Sequence, residues 1–575
     1  MFNYEHWGSA LLILLAFTLN LLLFLLPGFA AAVILATRRR VTPVYLLMVV
    51  IATTATLGYA SFWIFFGSKV AGKIFTFLVY GLALFLTGLN FVKARQTVST
   101  AIRKIATPFL FVLLAGICYV SLFYLFGDPN RDEAGLANAR FFEEGQAGDN
   151  IIPLIFAGRI YAHEPVRPFC CGDWLSSDRP PLQVGIFLLE RPLRIVSIGL
   201  HYQLLATALQ CLWICGVWCL LTVLGASPCR VRQVIPLLIC SGFLFYNSVY
   251  TWPKLLASAC ILFLFSIAID VIRTGRPLTR FQTTLAALCF GLALMAHPGS
   301  VFSLPAFGVV CLHYRRLFPV RKVGLALPIV LVFSLPWSAY QKFVDPPGNR
   351  LLKMHLAGEP SVDGRSTWQG ITDAYGGHSW REILQFKLSN VAKLFGEEPL
   401  DALGLPPPFE RSTVVRSRVA QREWVWNDIG VLNTGWVGIV WLLLQRRKRS
   451  VAVPYSSWLL AASIFNLIVW SVVMFGPGAT LARHSSYADM VLLSIGLCGY
   501  LLTLPSVVAF AVFALELWNL VVVWALFPPV AGFPQGVTIE ALFLLSGSIA
   551  LGVLIWVFAR ACFDCDASEH GCTVS

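Results

Sequence analysis

The chain has 575 residues, of which 57% are hydrophobic and only 13% charged, and its mean hydropathy is +0.74. That balance excludes a soluble globular protein and identifies a multi-spanning membrane protein. The net charge of +14 is carried by short, separated basic turns and not by one continuous face, so nucleic acid is not an expected partner.

The apolar runs are about 17 to 25 residues long, enough to cross a hydrocarbon core of roughly 30 Å as helices, and they lack the alternation of barrel strands. The first run covers 7–36. No Lys or Arg precedes it and Arg38, Arg39 and Arg40 follow it, so a retained span is expected and not a cleaved signal peptide. Further along, Lys and Arg concentrate at 93–104, 230–232, 273–280, 315–322 and 446–449 and at Arg560. Each cluster falls on an alternate connection. By the positive-inside rule these connections are cytoplasmic, which puts the N-terminus outside, the C-terminus inside and about fifteen spans between. The excess positive charge is then topological and faces anionic lipid.

The opposite connections hold most of the polar residues: 128–181, the turn around Trp252 and Lys254, the turn His297, Pro298, Gly299, a long segment 341–428, and 476–489. A segment as long as 341–428 without a clear span is more often functional or re-entrant than idle. Its Pro and Gly content argues against a separate soluble domain. The expected organisation is 1–106 N-terminal helices, 107–490 a core carrying the external loops 128–181 and 341–428, 491–561 C-terminal helices, and 562–575 a cytoplasmic tail.

Most of the Cys residues lie in spans, where they act as small apolar side chains. Cys170 and Cys171 are external, and adjacent cysteines bridge each other only with strain, so no disulfide framework is expected. Cys562, Cys565, His570 and Cys572 form a zinc-type ligand set, but the last two are closer than structural sites use, and an unstructured tail is the simpler reading. Asp564, Cys565 and Asp566 have the spacing of a metal-binding DxD, without a nucleotide-binding fold to support it.

Loop 128–181 is the candidate active site, where any chemistry is expected. Asp128 followed by Pro129 reads as an N-cap with proline at the first helical position, so a helix is expected over 128–142. Ala134, Ala137 and Phe141 give it an apolar stripe suited to the membrane surface. Asp132 and Glu133 sit in its first turns. They fit the positive end of the helix dipole, and they equally fit a general base at the mouth of a membrane cavity. The loop ends at Asp178, Arg179, Pro180, Pro181, Leu182, so acids and a cation bracket it.

This loop runs from Asp132-Glu133-Ala134 through Gly148-Asp149-Asn150-Ile151-Ile152-Pro153 and Gly158-Arg159-Ile160-Tyr161 to Arg179-Pro180-Pro181-Leu182. It resembles the corresponding loop of the GT-C class of membrane glycosyltransferases. The likeness is greatest to the branch with lipid A 4-amino-arabinose transferases and protein O-mannosyltransferases. Loop order agrees over roughly residues 110–489. The sequence departs from the branch in having Arg179 where it has lysine, in about three extra leading spans, and in lacking a large soluble domain after the last span.

The resemblance implies an all-α polytopic bundle that transfers a sugar from a polyprenyl-phosphate donor to an envelope glycan, glycolipid or lipopolysaccharide at the outer face of a bacterial inner membrane. Asp132, or failing that Glu133, would deprotonate the acceptor, and Arg179 would hold the donor phosphate, which arginine can do bidentately. No cofactor is required, and a divalent metal is compatible but unsupported. Membrane lipids and the lipid-linked sugar are the expected partners.

Further candidates come from the residues themselves. Lys254 fits an interfacial anchor or a phosphate ligand. His297 fits a cap or a catalytic group. Arg483 with His484 suits phosphate binding or anchoring. Asp345, before Pro346-Pro347-Gly348, fits a bond to its own turn, while Arg350, Lys353 and His355 fit a mobile cover over the phosphate. Asp178 is a further site candidate, and the aromatics Tyr161, Phe169 and Trp174 fit sugar stacking or an interfacial belt. Two other classes stay open: an O-antigen ligase or polymerase, suggested by Arg and His in the long loop, and a transporter or flippase, suggested by Glu516 with Asn519 nearby and by Asp270.

Overall fold

The structure is a computed structural model that describes residues 2–3, 7–125, 136–137, 149–167, 169, 174–395, 425–445, 452–476, 485–526 and 539–571. The fold is all-α. Among the described residues the one strand pairing is two residues long, Phe2–Asn3 running parallel to Ile539–Glu540. Nine helices there are long and apolar enough to cross a membrane, or ten when Pro228–Ile239 and Gly242–Val249, bent by 64°, are taken as one span. Further apolar helices are shorter, such as Arg280–Ala296 with 17 residues and Tyr487–Leu501 with 15.

The first three helices make a unit. α1 (Trp7–Arg38) packs on α2 (Pro43–Gly67) and on α3 (Lys69–Phe123). A straight helix with the 55 residues of α3 would reach about 80 Å, more than twice the hydrocarbon thickness. It bends instead at Ala94, whose φ of −142° and ψ of 42° are not helical, and the second arm returns beside α1.

The connections segregate as the charge pattern requires. At one end Arg230 donates to the Leu502 carbonyl at 2.8 Å, Arg232 pairs with Asp564 at 3.5 Å, and the Tyr45 hydroxyl donates to Asp270 at 2.6 Å. Arg273 reaches the Val223 carbonyl and Lys322 the Leu278 carbonyl. The polar connections meet elsewhere: residues of 149–180, 250–254, 294–302, 337–356 and 470–474 all line one cavity.

Two sequence expectations are corrected at the C-terminus. Cys565 is bonded to Cys229, 336 residues away, because the helix Ala541–Gly571 packs along Pro228–Ile239. The tail therefore does not begin unstructured at 562; it continues as helix through Gly571, with the Cys562 sulfur accepting from Gln233 at 3.4 Å. Cys572 lies outside the described residues, and no cluster of three metal-ligating side chains occurs among the described ones.

One close approach positions the site. The short helix Leu182–Glu190 packs on α2 with glycine on both sides. A Cβ on Gly185 would lie 2.2 Å from the Gly58 carbonyl oxygen, and one on Gly58 would lie 2.4 Å from the Ile186 side chain. Only with both side chains absent can the backbones approach this closely. The residues just before this helix are Arg179, Pro180 and Pro181, so the contact fixes where the loop enters the membrane domain.

Candidate functional site

The cavity has a volume of about 970 Å³ and draws its wall from five separate stretches of chain. Arg179, Lys254 and Arg350 line it, as do Asp149, Asp178, His297 and His355. Three cations thus face two carboxylates. The rest of the lining is largely apolar, including Leu294, Phe302, Leu352, Leu356, Trp470 and Met474.

Arg179 is held by charge and by rings. Its guanidinium lies 2.9 Å from Asp149 and over the rings of Trp174 and Trp252, at 4.7 and 5.3 Å. Lys254 lies over Trp252 and Tyr487 at 4.0 and 4.5 Å. Arg350 bonds Asp178 at 3.0 Å and lies 5.0 Å from the Trp174 ring. All three cations are shielded from solvent, with Lys254 only 2% exposed. An anion entering here meets three positive charges in surroundings shielded from water, where charge-assisted bonds are stronger than at an open surface.

The turn carrying Asp178 and Arg179 is pinned from the long loop. Asp345 accepts from the Ser176 hydroxyl at 2.6 Å and from the Ser177 amide at 2.9 Å, and Arg167 bonds the same carboxylate. Asp345 thus organises the neighbouring loop's turn, where the sequence suggested a bond to its own. Burial pushes its pKa up, but the Ser176, Arg167 and Ser177 bonds outweigh this and hold it below the usual carboxylate range. Asp178 goes the other way. Burial raises it against the opposing Leu175 amide, Arg350 and Arg179.

A buried amide network ties the remaining walls together. The Gln183 side chain donates to the Tyr202 hydroxyl at 2.8 Å and to the Thr251 carbonyl at 2.9 Å, and accepts from Gln210 at 3.0 Å. Gln210 in turn accepts from the Leu255 and Leu256 amides, both at 3.1 Å, satisfying the first turn of the helix that Lys254 opens. Tyr202 donates to the Asn150 carbonyl at 2.8 Å, next to Asp149. The network also holds Thr251 at a φ of +58°, a conformation strained for a β-branched residue and kept only where the surroundings fix it. Sequence reasoning missed Gln183, Gln210, Tyr202 and the role of Asp149. The signal for the glutamines was two polar side chains in otherwise apolar runs.

His297 is both a cap and a wall residue: its Nδ1 accepts from the Gly299 amide at 3.1 Å and its ring lies 6.0 Å from that of Trp252. His355 packs 5.8 Å from the Trp470 ring. Burial, with Lys254 and Arg179 nearby, brings its pKa down to about 4, so it is neutral at ordinary pH. Lys353 is not in the cavity wall. It is fully buried and bonds Asp363, which Arg365 also engages at 2.7 Å.

Asp132, Glu133, Arg483 and His484 lie outside the described residues, as do Cys170 and Cys171. Of the expected helix over 128–142, the described residues are Leu136 and Ala137, both helical and buried.

Of the groups gathered here, Arg179, Lys254 and Arg350 can bind a phosphate, His297 and His355 can exchange hydrogen bonds with hydroxyls, and the apolar wall can hold a hydrocarbon chain. No family model, curated protein or solved structure matches the chain.

Proposed function

We propose that this membrane protein is a glycosyltransferase that moves a sugar from a polyprenyl-phosphate donor to an envelope glycan, glycolipid or lipopolysaccharide. The observation that carries this reading is the amphipathic cavity, in which the buried Arg179 and Lys254 converge with the partly buried Arg350 beside an apolar wall. An anionic head group on a long hydrocarbon chain matches both halves.

In this reading Arg179, Lys254 and Arg350 hold the phosphate, which is also the leaving group, and stabilise the charge that develops as the anomeric bond breaks. The acceptor hydroxyl attacks the anomeric carbon, and its proton passes to a carboxylate. Asp132, or Glu133, is the proposed base, and Asp149 is the described carboxylate nearest that role because it lines the cavity against Arg179. The reaction takes place at the external face of a bacterial inner membrane, with the N-terminus outside and the C-terminus inside. About fifteen crossings follow when α3 counts as two, the bent pair as one, and the short apolar helices from Arg280–Ala296 onward as spans.

A transporter or flippase is the second reading. It is favoured by Asp489, which is 1% exposed in an apolar helix and bonds Asn466 at 2.8 Å and Ser303 at 3.1 Å.

The test is mass spectrometry of envelope lipids and glycans from a deletion strain complemented with the wild type, Asp132→Asn, Asp149→Asn or Asp489→Asn. Loss of one sugar in the deletion strain, restored by the wild type and by D489N but not by D132N or D149N, supports transfer. An unchanged sugar inventory in the deletion strain overturns it.

A further inference from the structure

Between Glu5 and Asp128 the sequence has no Asp or Glu at all, yet it carries the basic clusters at 38–40 and 93–104. Those cations therefore have no counter-charge within their own helices. The structure brings the two clusters together. α1 ends at Arg38, and the bend at Ala94 returns the second arm of α3 alongside the connection from α1 to α2.

Between them lies a pocket of about 420 Å³ on an apolar floor, where Arg39, Arg40 and Lys104 converge with Gln96, Thr97 and Thr100. None of these six side chains has an ion-pair or hydrogen-bond partner among the described residues. The pocket is separate from the main cavity and shares no lining residue with it. Three cations and three neutral donors around a small, floored recess are the complement of a phosphate oxyanion, and the volume suits a head group. The neighbouring ends of α1 and α2 place it where a span leaves the hydrocarbon core, at the depth of lipid phosphates.

We propose that this pocket binds the phosphate of an anionic phospholipid from the adjacent leaflet, so that the lipid staples the α1–α2 connection to the return arm of α3. The chemistry recognised is a phosphate oxyanion, which a free phosphate shares. The lipid is favoured because the recess opens at the ends of membrane helices. The proposal does not depend on what the main cavity does.

The test uses the purified full chain in nanodiscs of about four parts phosphatidylcholine to one part phosphatidylglycerol, with bound lipid read by native mass spectrometry and stability by melting. Each cation near a lipid phosphate contributes a factor of roughly five, so the Arg39→Gln, Arg40→Gln, Lys104→Gln triple variant is expected to lower phosphatidylglycerol affinity on the order of a hundredfold. Thr100→Trp keeps every charge but fills the recess, and is expected to lose the lipid too. Arg103→Gln, outside the pocket, is expected to keep it. Inorganic phosphate that raises the melting temperature in detergent and displaces the lipid would assign the ligand to the soluble anion, with the same pocket chemistry. Undiminished lipid retention by both pocket variants, or an equal loss in R103Q, would overturn the site.

Discussion

The guanidinium groups of Arg179 and Arg350 share one ring, that of Trp174, at 4.7 and 5.0 Å from its centroid, and each also has its own carboxylate, Asp149 for the first and Asp178 for the second. The two arginines come from loops far apart in sequence. Their convergence is what the proposed phosphate site rests on, and it sets the expectations below.

Replacing Arg179 by Ala is expected to lower transfer by on the order of a hundredfold or more, as loss of one preorganised charge contact does. Arg179→Lys should recover part of it, since lysine keeps the charge but not the fork. The measurement is the sugar content of envelope lipids in complemented cells, with protein level checked by blot. Wild-type sugar content with R179A would remove Arg179 from the site.

Arg350 and Lys353 lie three residues apart on one short helix, yet only Arg350 faces the cavity. Arg350→Ala should impair transfer at normal expression. Lys353→Ala should lower the melting temperature of the purified protein, because it removes a fully buried side chain together with its bond to Asp363, and leave activity per folded molecule near wild type. The reverse pattern would show that the helix presents its other face in the working state.

His355 gives a pH dependence with a definite sign. Its pKa is about 4 in the folded chain against an ordinary 6.5. Between those values the unfolded state holds the extra proton, so stability falls as pH drops from 6.5 towards 4, by at most about 3 kcal/mol. Below that window both states are protonated and this contribution stops changing. Melting curves of wild type and His355→Asn across the window should differ in slope, the variant being flatter.

Gly185→Val should both destabilise and inactivate. A Cβ there meets the Gly58 carbonyl oxygen at 2.2 Å, so the helix Leu182–Glu190 must back away from α2, at about 1–3 kcal/mol for overpacking. Arg179 lies just upstream, and the shift moves it away from Asp149. A lower melting temperature without any change in transfer would separate the packing from the site.

The membrane character and the segregation of connections could be read from the sequence because Lys and Arg are placed by topology, one cluster per alternate turn. Arg179, Lys254, His297, Arg350 and His355 were legible as candidates because each is a polar residue next to an apolar run. Their shared cavity was not, since it depends on packing such as the Gly58 and Gly185 contact. The fate of Lys353 depended on Asp363, on the far side of the turn at Gly358, whose φ is +71°. The Cys229 and Cys565 bond crosses 336 residues, a distance over which spacing carries no information. Gln183 and Gln210 look like ordinary helix residues until the Thr251 carbonyl and the Leu255 amide are seen beside them.

The walls of the main cavity run from Asp149 to Met474, and this bears on biogenesis. A nascent chain still threaded through the translocon has inserted its early helices long before the last wall stretch is made, so the cavity is born unfinished. A product that stops ahead of 470–474 would lack one side of the chamber, so the cavity can close only once the helix Ala452–Val473 has been made.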